Sequence, residues 1–156
     1  VNCPIPSPID KAEGALDNEW FHAAAPAAGI YQIKISDPLA SSQTLQFSYV
    51  ANTLGSSVQV VTVSYTFCEP SLDAFVRLAD KALIDQGVAE GQSWFAASGD
   101  FGVDACFNHA MLPQTRQVSI PASIPDVVGV GGTALGVSLV PGTGYVQAYV
   151  FESRGH

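Results

Sequence analysis

The stretch Val58-Gln59-Val60-Val61-Thr62-Val63-Ser64 decides the fold, because it is short, nearly continuously apolar and rich in β-branched residues. Such a run is typical of a strand that is covered on both faces, as in a parallel sheet. The sequences SWFAA at 93–97 and DVVGVG at 126–131 predict two further strands. A helix from a cap at Ser71 to about Ala89 separates the first two. Strands that alternate with helices predict a parallel α/β sheet.

The positions of proline and glycine and the spacing of apolar residues predict the elements around this unit. The Pro-rich residues 1–10 predict a loop, with Asp10 as the cap of a helix over 11–25 that Pro26 ends. Residues 29–35 alternate and predict a strand, and 137–151 predict a hairpin. Residues 38–54 favour a helix between Pro38 and Gly55, although their apolar residues also suit a strand. The helix that begins at Ser71 carries an apolar stripe, formed by Leu72, Phe75, Val76, Ala79, Ala82 and Leu83.

Composition restricts the class of protein. The 156 residues suggest one domain, and 47% hydrophobic against 13% charged residues exclude a disordered polyelectrolyte. No apolar run reaches the roughly 18 residues that a membrane span needs, so an integral membrane protein is not expected. The formal net charge of −8 argues against binding nucleic acid or an anionic membrane surface.

The three cysteines, Cys3, Cys68 and Cys106, include no Cys-x-x-Cys pair, which argues against a zinc ribbon or a thioredoxin-type site. Two of them could form a disulfide, which would place the protein outside the cytosol. His22 and His109 are isolated, so no zinc site is expected, and His22 is predicted to pack along its helix.

Polar residues follow three of the predicted strands, and chemistry in parallel sheets is found at the carboxyl ends of strands. These ends are Ser64-Tyr65-Thr66, Ser98-Gly99-Asp100 and Gly131-Gly132-Thr133. The glycines of 129–133 lack the spacing and the lysine of a phosphate-binding loop, so nucleotide binding is a weak alternative. No Gly-x-Ser-x-Gly elbow is present, which leaves a hydrolase of that fold unsupported.

Three carboxyl groups are candidates for chemistry. Glu13 and Asp17 are four residues apart, which places them on one helix face. The ordinary interpretation is a solvated surface, but Leu16 and Trp20 suggest that the helix is largely buried. In a dry site one carboxyl keeps its proton and the other acts as a base. Asp100 either caps the next segment or donates a proton to a developing oxyanion.

Five motifs occur in order and together resemble the sedolisin family of serine-carboxyl peptidases. AEGALDNEW at 12–20 resembles the family's E-x-x-L-D helix, and AAPAAGI at 24–30 resembles the turn and strand after it. VSYTFCE at 63–69 is similar to S-[YW]-G-x-C-E, and ASGDFG at 97–102 to A-S-G-D-x-G. IPASIP at 120–125 with VGGT at 130–133 resembles F-P-A-S-x-P and V-G-G-T. The resemblance implies a subtilisin-like α/β fold, a mostly parallel sheet flanked by helices.

The resemblance also implies roles for individual residues. Glu13 would be the general base of a Ser-Glu-Asp triad, Asp17 the second carboxylate and Asp100 the oxyanion-hole carboxyl. Ser64, Tyr65 and Thr66, with Ala97, Ser98 and Gly99, would line the substrate strand and the S1 pocket, although Thr66 stands where glycine is usual. Cys68 and Cys106 would form a disulfide, and any partner of Cys3 would lie outside the chain. A carboxylate base and a protonated donor both favour acid, in a secreted or other acidic, oxidising compartment.

The sequence also departs from the family. No Gly-Thr-Ser nucleophile motif occurs among the 156 residues. Residues 1–156 are therefore expected to be the N-terminal and central part of a catalytic domain whose first strand and C-terminal part lie elsewhere. The missing part would supply the serine and a calcium ion; this chain needs no cofactor of its own. We expect a peptide or protein substrate, with the rest of the domain as a partner. The alternative is a non-catalytic homologue that binds peptides or partners.

Overall fold

The computed structural model describes residues 8–34, 39–100, 117–139 and 146–154. Three α-helices span Pro8–Ala24 (α1), Ala40–Tyr49 (α2) and Ala74–Ala89 (α3). Seven strands span Val60–Val63 (β1), Phe67–Cys68 (β2), Ser93–Ala97 (β3), Ser119–Ile120 (β4), Val127–Val130 (β5), Thr133–Leu139 (β6) and Val146–Arg154 (β7). A π-helical turn (Val50–Leu54) and a 3-10 turn (Gly55–Ser57) follow α2, and a second 3-10 turn (Glu69–Ser71) precedes α3.

The predicted parallel sheet is present, with the strand order β1-β3-β5 and β3 in the centre. Trp94 of β3 pairs with Val61 of β1 and with Val127 of β5. These partners share one face, because partnered residues of adjacent strands point the same way. Trp94 joins the hydrophobic core on that face, where its ring meets Phe47 edge-on at 5.3 Å between centroids.

The prediction that the strand at 58–64 is covered on both faces is wrong. In β1 exposed residues alternate with half-buried ones, and in β5 Val128 is 54% exposed. The reason is that helices α2 and α3 cover the Trp94 face, and the described residues leave apolar side chains of the other face in contact with solvent.

Helix α3 begins at a different cap from the one predicted. Asp73 is its N-cap, and the side-chain Oδ1 of Asp73 accepts a hydrogen bond from the Phe75 amide at 2.7 Å. Ser71 instead donates its hydroxyl to the carbonyl of Cys68 within the preceding 3-10 turn. A carboxylate at the N-cap also favours the positive end of the helix dipole.

The buried face of α3 is also shifted from the predicted stripe. Its buried residues are Asp80, Ile84 and Gly87, spaced as one helix face, whereas Phe75 is 78% exposed. Phe75 lies five positions before Asp80, which is a rotation of about 140° around the helix axis. Phe75 therefore points away from the buried face. Gly87 is required by packing, because a Cβ there would lie 2.8 Å from Nε1 of Trp94.

Helix α1 begins at Pro8, so the predicted capping role of Asp10 is wrong: Asp10 lies inside the helix. Proline is tolerated in a first turn, where its missing amide has no partner to lose. The expected burial of α1 is also wrong, since Trp20 is 70% exposed and His22 is exposed rather than packed along the helix. The predicted end of the helix is confirmed within a residue, before Pro26.

The predicted strand at 29–35 is wrong for the described residues 29–34, which are irregular. Alternation produces a strand only where a neighbouring strand supplies hydrogen bonds, and no described strand pairs with this segment. Gln32 donates its side-chain amide to the carbonyl of Gly14, and Gln46 donates to the carbonyl of Ile33. Ile33 packs against the core without joining the sheet.

The remaining elements follow the prediction closely. The helix favoured for 38–54 is confirmed as α2 and the π-helical turn, although Leu45 and Tyr49 are exposed and Phe47 alone of the three enters the core. Pro38 lies outside the described residues. The hairpin is confirmed as the antiparallel pair β6–β7, which starts earlier than expected, at Thr133.

Candidate functional site

The carboxyl ends of β1, β3 and β5 lie at one edge of the sheet, because the three strands are parallel neighbours. The pairing of β3 with β5 continues one residue past β3, because the Ser98 amide donates to the carbonyl of Val130, the last residue of β5, at 2.9 Å. Gly99 then takes a φ of +99°, a conformation that suits glycine. This edge contains all the strand-end residues that the sequence singled out.

Helix α1 reaches this edge through a contact that joins residues 47 positions apart. The hydroxyl of Ser64, directly after β1, lies 3.0 Å from Oδ1 and 2.9 Å from Oδ2 of Asp17. The hydroxyl is the donor, because a carboxylate only accepts. Both side chains are partly buried, as is Glu13 one helical turn before Asp17. The contact therefore fixes the helix that carries both carboxyl groups against the end of β1.

The next residue, Tyr65, is held by its backbone. The buried side-chain amide of Gln43 on α2 donates to the Tyr65 carbonyl at 3.0 Å. The Tyr65 ring is exposed and Thr66 is half-buried. Sequence reasoning missed Gln43, and the available signal was a single amide among the apolar positions of an amphipathic helix. A buried amide needs a partner, so such a residue indicates a specific contact.

The second strand end is less enclosed. Ala97, Ser98 and Gly99 are half-buried, and Asp100 is exposed. A Cβ at Gly131 would lie 3.8 Å from Oγ of Ser98, so the loop after β5 passes beside this strand end. The structure therefore brings the Ser98 and Gly131 segments together, and leaves the carboxyl group of Asp100 accessible at their edge.

Cys68 is buried in β2, where it pairs with Ser119 of β4. The adjacent Glu69 accepts from the hydroxyl of Ser123 at 2.9 Å and pairs with Arg77 at 3.3 Å. These contacts fix the segment that follows the Ser64-Tyr65-Thr66 strand end. Cys3, Cys106 and His109 lie outside the described residues, so the Cys68–Cys106 disulfide stays a prediction.

The described residues contain neither a cluster that could hold a metal ion nor a helix that could cross a membrane. Within that part of the chain, no cluster of three or more His, Cys, Asp or Glu side chains is arranged to hold a metal ion. In the same residues, no helix is long and apolar enough to cross a membrane.

Comparisons of the sequence and of the structure with known proteins both find similarity to sedolisin. No protein-family model matches the chain. Sedolisin from Pseudomonas sp. (strain 101) is 39% identical over 79 residues, which are 49% of this chain and 14% of sedolisin. The solved structure of Pseudomonas sedolisin (serine-carboxyl proteinase), complexed with two molecules of pseudo-iodotyrostatin, superposes with a TM-score of 0.57 at 30% identity.

That structural match covers 75% of this chain and 30% of the sedolisin chain, so this chain spans less than a third of its solved relative. The similarity extends to both sequence and fold. The chain is therefore similar in sequence to part of sedolisin and shares its subtilisin-like α/β fold.

Proposed function

We propose that the chain is part of a secreted, acid-acting serine-carboxyl endopeptidase. The similarity to sedolisin supports a serine peptidase of this family. The contact between Ser64 and Asp17 carries the proposal further, because it anchors the helix of Glu13 and Asp17 at the strand end where a substrate would lie. A catalytic base must be held close to the substrate by the fold, and this contact provides such an anchor.

In this mechanism Glu13 takes the proton of a serine hydroxyl as that oxygen attacks the scissile carbonyl carbon. The serine lies outside this chain. Asp17 supports Glu13 from one helical turn away, and Ser64 holds Asp17 in place. Asp100, in its protonated form, donates a hydrogen bond to the oxyanion that develops. Glu13 then returns the proton to the leaving amine, which balances the acylation step.

The substrate would be an extended peptide. Ser64, Tyr65 and Thr66 on one side, with Ala97, Ser98 and Gly99 on the other, would form the walls of its binding cleft. Solved sedolisin is complexed with pseudo-iodotyrostatin, which supports a peptide-like ligand for this chain. A side chain at Thr66 would narrow the S1 pocket relative to glycine. The proposal assigns no metal to this chain, and no step uses the calcium ion expected in the C-terminal part of the domain.

Replacement of Glu13 by glutamine in the full-length protein tests the proposal. Because glutamine cannot accept the serine proton, we expect kcat/KM for peptide hydrolysis at acidic pH to fall by about 10²–10⁴-fold. Glu19→Gln is the matched control, since Glu19 is an exposed carboxylate on the same helix. Full activity of the Glu13→Gln protein, or maximal activity near neutral pH in the parent protein, would show that the assignment is wrong.

The alternative is a sedolisin-like protein that binds peptides or partners without cleaving them. Both candidates are compatible with the absence of a Gly-Thr-Ser sequence from the 156 residues. The coding sequence that follows His156 separates the two, because a downstream Gly-Thr-Ser supports the enzyme. Mass spectrometry of a peptide mixture after incubation with the full-length protein at pH 4 gives a direct test, since a binding homologue leaves the peptides intact.

A further inference from the structure

Asp80 is a buried carboxyl group that the proposed peptidase mechanism does not use. It is 0% exposed on α3, one turn before Ile84 of the hydrophobic core. Its Oδ1 lies 2.6 Å from Oγ1 of Thr44 on α2. Its Oδ2 is also buried and has no hydrogen-bond partner among the residues that the structure describes. A carboxylate in this position would lose its hydration and recover a single hydrogen bond.

The described elements that pack around Asp80 provide no compensating positive charge. Helix α2 has one titratable side chain, Tyr49, which is exposed, and neither the π-helical turn nor β3 has any. On α3 itself, Lys81 pairs with Asp85 at 2.6 Å and lies 3.9 Å from Asp126, while Arg77 pairs with Glu69. Burial therefore raises the pKa of Asp80 to about 6, although the hydrogen bond from Thr44 opposes this.

The protonated form of Asp80 completes a chain of hydrogen bonds. When protonated, Asp80 donates to Oγ1 of Thr44, and Thr44 donates its own proton to the carbonyl of Ala40 at 3.3 Å. When ionised, Asp80 accepts a hydrogen bond from the Thr44 hydroxyl. That hydroxyl then no longer donates to the carbonyl of Ala40. The polar groups at the α2–α3 contact therefore make more hydrogen bonds at acidic pH.

This contact lies next to the candidate site along the chain. Thr44 directly follows Gln43, whose buried side-chain amide holds the carbonyl of Tyr65 at 3.0 Å. One turn of α2 thus contacts both Asp80 and the end of β1. Movement of this turn would change the position of the backbone that borders the candidate cleft.

We propose that Asp80 and Thr44 form an acid-closed clamp between α3 and α2, which holds Gln43 against the backbone of Tyr65. The clamp is closed when Asp80 is protonated and loosens when Asp80 ionises. It depends only on the fold of this chain, so it does not require the peptidase function to be correct.

The sign of the pH effect follows from linkage. Asp80 has a higher pKa in the folded state than its ordinary value of 3.8, so the folded state binds the proton more tightly. The stabilisation is fully present below pH 3.8 and is lost as the pH rises through about 6. A difference of about two pKa units corresponds to about 100-fold in the folding equilibrium constant.

Urea unfolding of the full-length protein at several pH values between 4 and 7 tests the clamp. Relative to Asp80→Asn, the wild-type chain should lose about 100-fold in its folding equilibrium constant over this range. Asp85→Asn is the control, because Asp85 is a partly exposed carboxylate on the same helix whose pKa is lowered by Lys81, outside this range. Identical pH dependence in the wild-type chain and Asp80→Asn would overturn the proposal.

Two measurements on the wild-type chain keep the test decisive if Asp80→Asn does not fold. The NMR signal of the Asp80 carboxyl carbon should titrate near pH 6, and a midpoint below pH 4 would overturn the clamp. The side-chain amide protons of Gln43, corrected for intrinsic exchange, should be more protected at pH 4.5 than at pH 7. Equal protection at both values would overturn the link to Tyr65.

Discussion

At the scale of single residues, the hydroxyl of Ser64 has a role that its position in the sequence does not reveal. It donates to a carboxylate of the proposed catalytic helix, and a hydrogen bond to a charged group contributes about 1.5–3 kcal/mol. Ser64→Ala in the full-length protein should therefore lower kcat/KM for peptide hydrolysis by about 10–100-fold. Steady-state kinetics at acidic pH measure this effect.

Ser64→Thr is the matched variant, because it retains a hydroxyl at the same position. If Ser64 positions Asp17, the threonine variant should recover most of the activity, and the alanine variant should lose kcat more than KM. Thermal unfolding of both variants controls for general destabilisation. Equal activity in Ser64→Ala and the wild-type protein would contradict the positioning role.

The candidate site illustrates which contacts a sequence can predict. The four-residue spacing of Glu13 and Asp17 predicts a shared helix face, and both are partly buried in α1. The Asp17–Ser64 contact could not be predicted, because it depends on how α1 lies against the sheet. The burial of Asp80 also has no signal in the sequence, since a helical aspartate is ordinarily a surface residue.

At the scale of elements, the start of α3 depends on Asp73. Its carboxylate accepts the Phe75 amide at 2.7 Å, so Asp73→Ala should lower the free energy of unfolding by about 1 kcal/mol. Asp73→Asn should remain close to wild type, because asparagine caps helices equally well. Urea unfolding measures the loss, and hydrogen exchange of the Phe75 amide localises it to the first turn. An equal loss in both variants would exclude capping as the cause.

The elements that the sequence predicted best are those whose pattern and surroundings agree. The strand predicted over 93–97 has the same bounds as β3, since that strand is central and its apolar residues are buried. The alternating segment 29–34 failed as a strand because no described strand pairs with it. Its Gln32 side chain donates to the Gly14 carbonyl, and its Ile33 carbonyl accepts from the Gln46 side chain. The Ser71 cap failed because Ser71 lies in the 3-10 turn Glu69–Ser71, and Asp73, two residues later, caps α3.

At the scale of the whole molecule, the sheet packs unequally on its two faces. Parallel sheets are ordinarily covered on both. Here Trp94 and Ala96 of β3 are buried on one face, while Val60, Val128 and Val130 are exposed. The chain corresponds to 30% of the sedolisin structure that it matches. The apolar strands were therefore sufficient to predict a parallel sheet, but they could not show which face the described helices cover.

The neighbouring residues Val127 and Val128 provide a direct test of this arrangement. Val127 packs against the hydrophobic core, and Val128 on the opposite face is exposed. Threonine keeps the β-branched shape and the strand propensity of valine, but it adds a hydroxyl that is costly to bury. Val127→Thr should lower the free energy of unfolding by about 1–3 kcal/mol, and Val128→Thr should change it by less than about 0.5 kcal/mol. Urea unfolding of the two variants measures both values, and equal losses would mean that both faces of β5 are packed in solution.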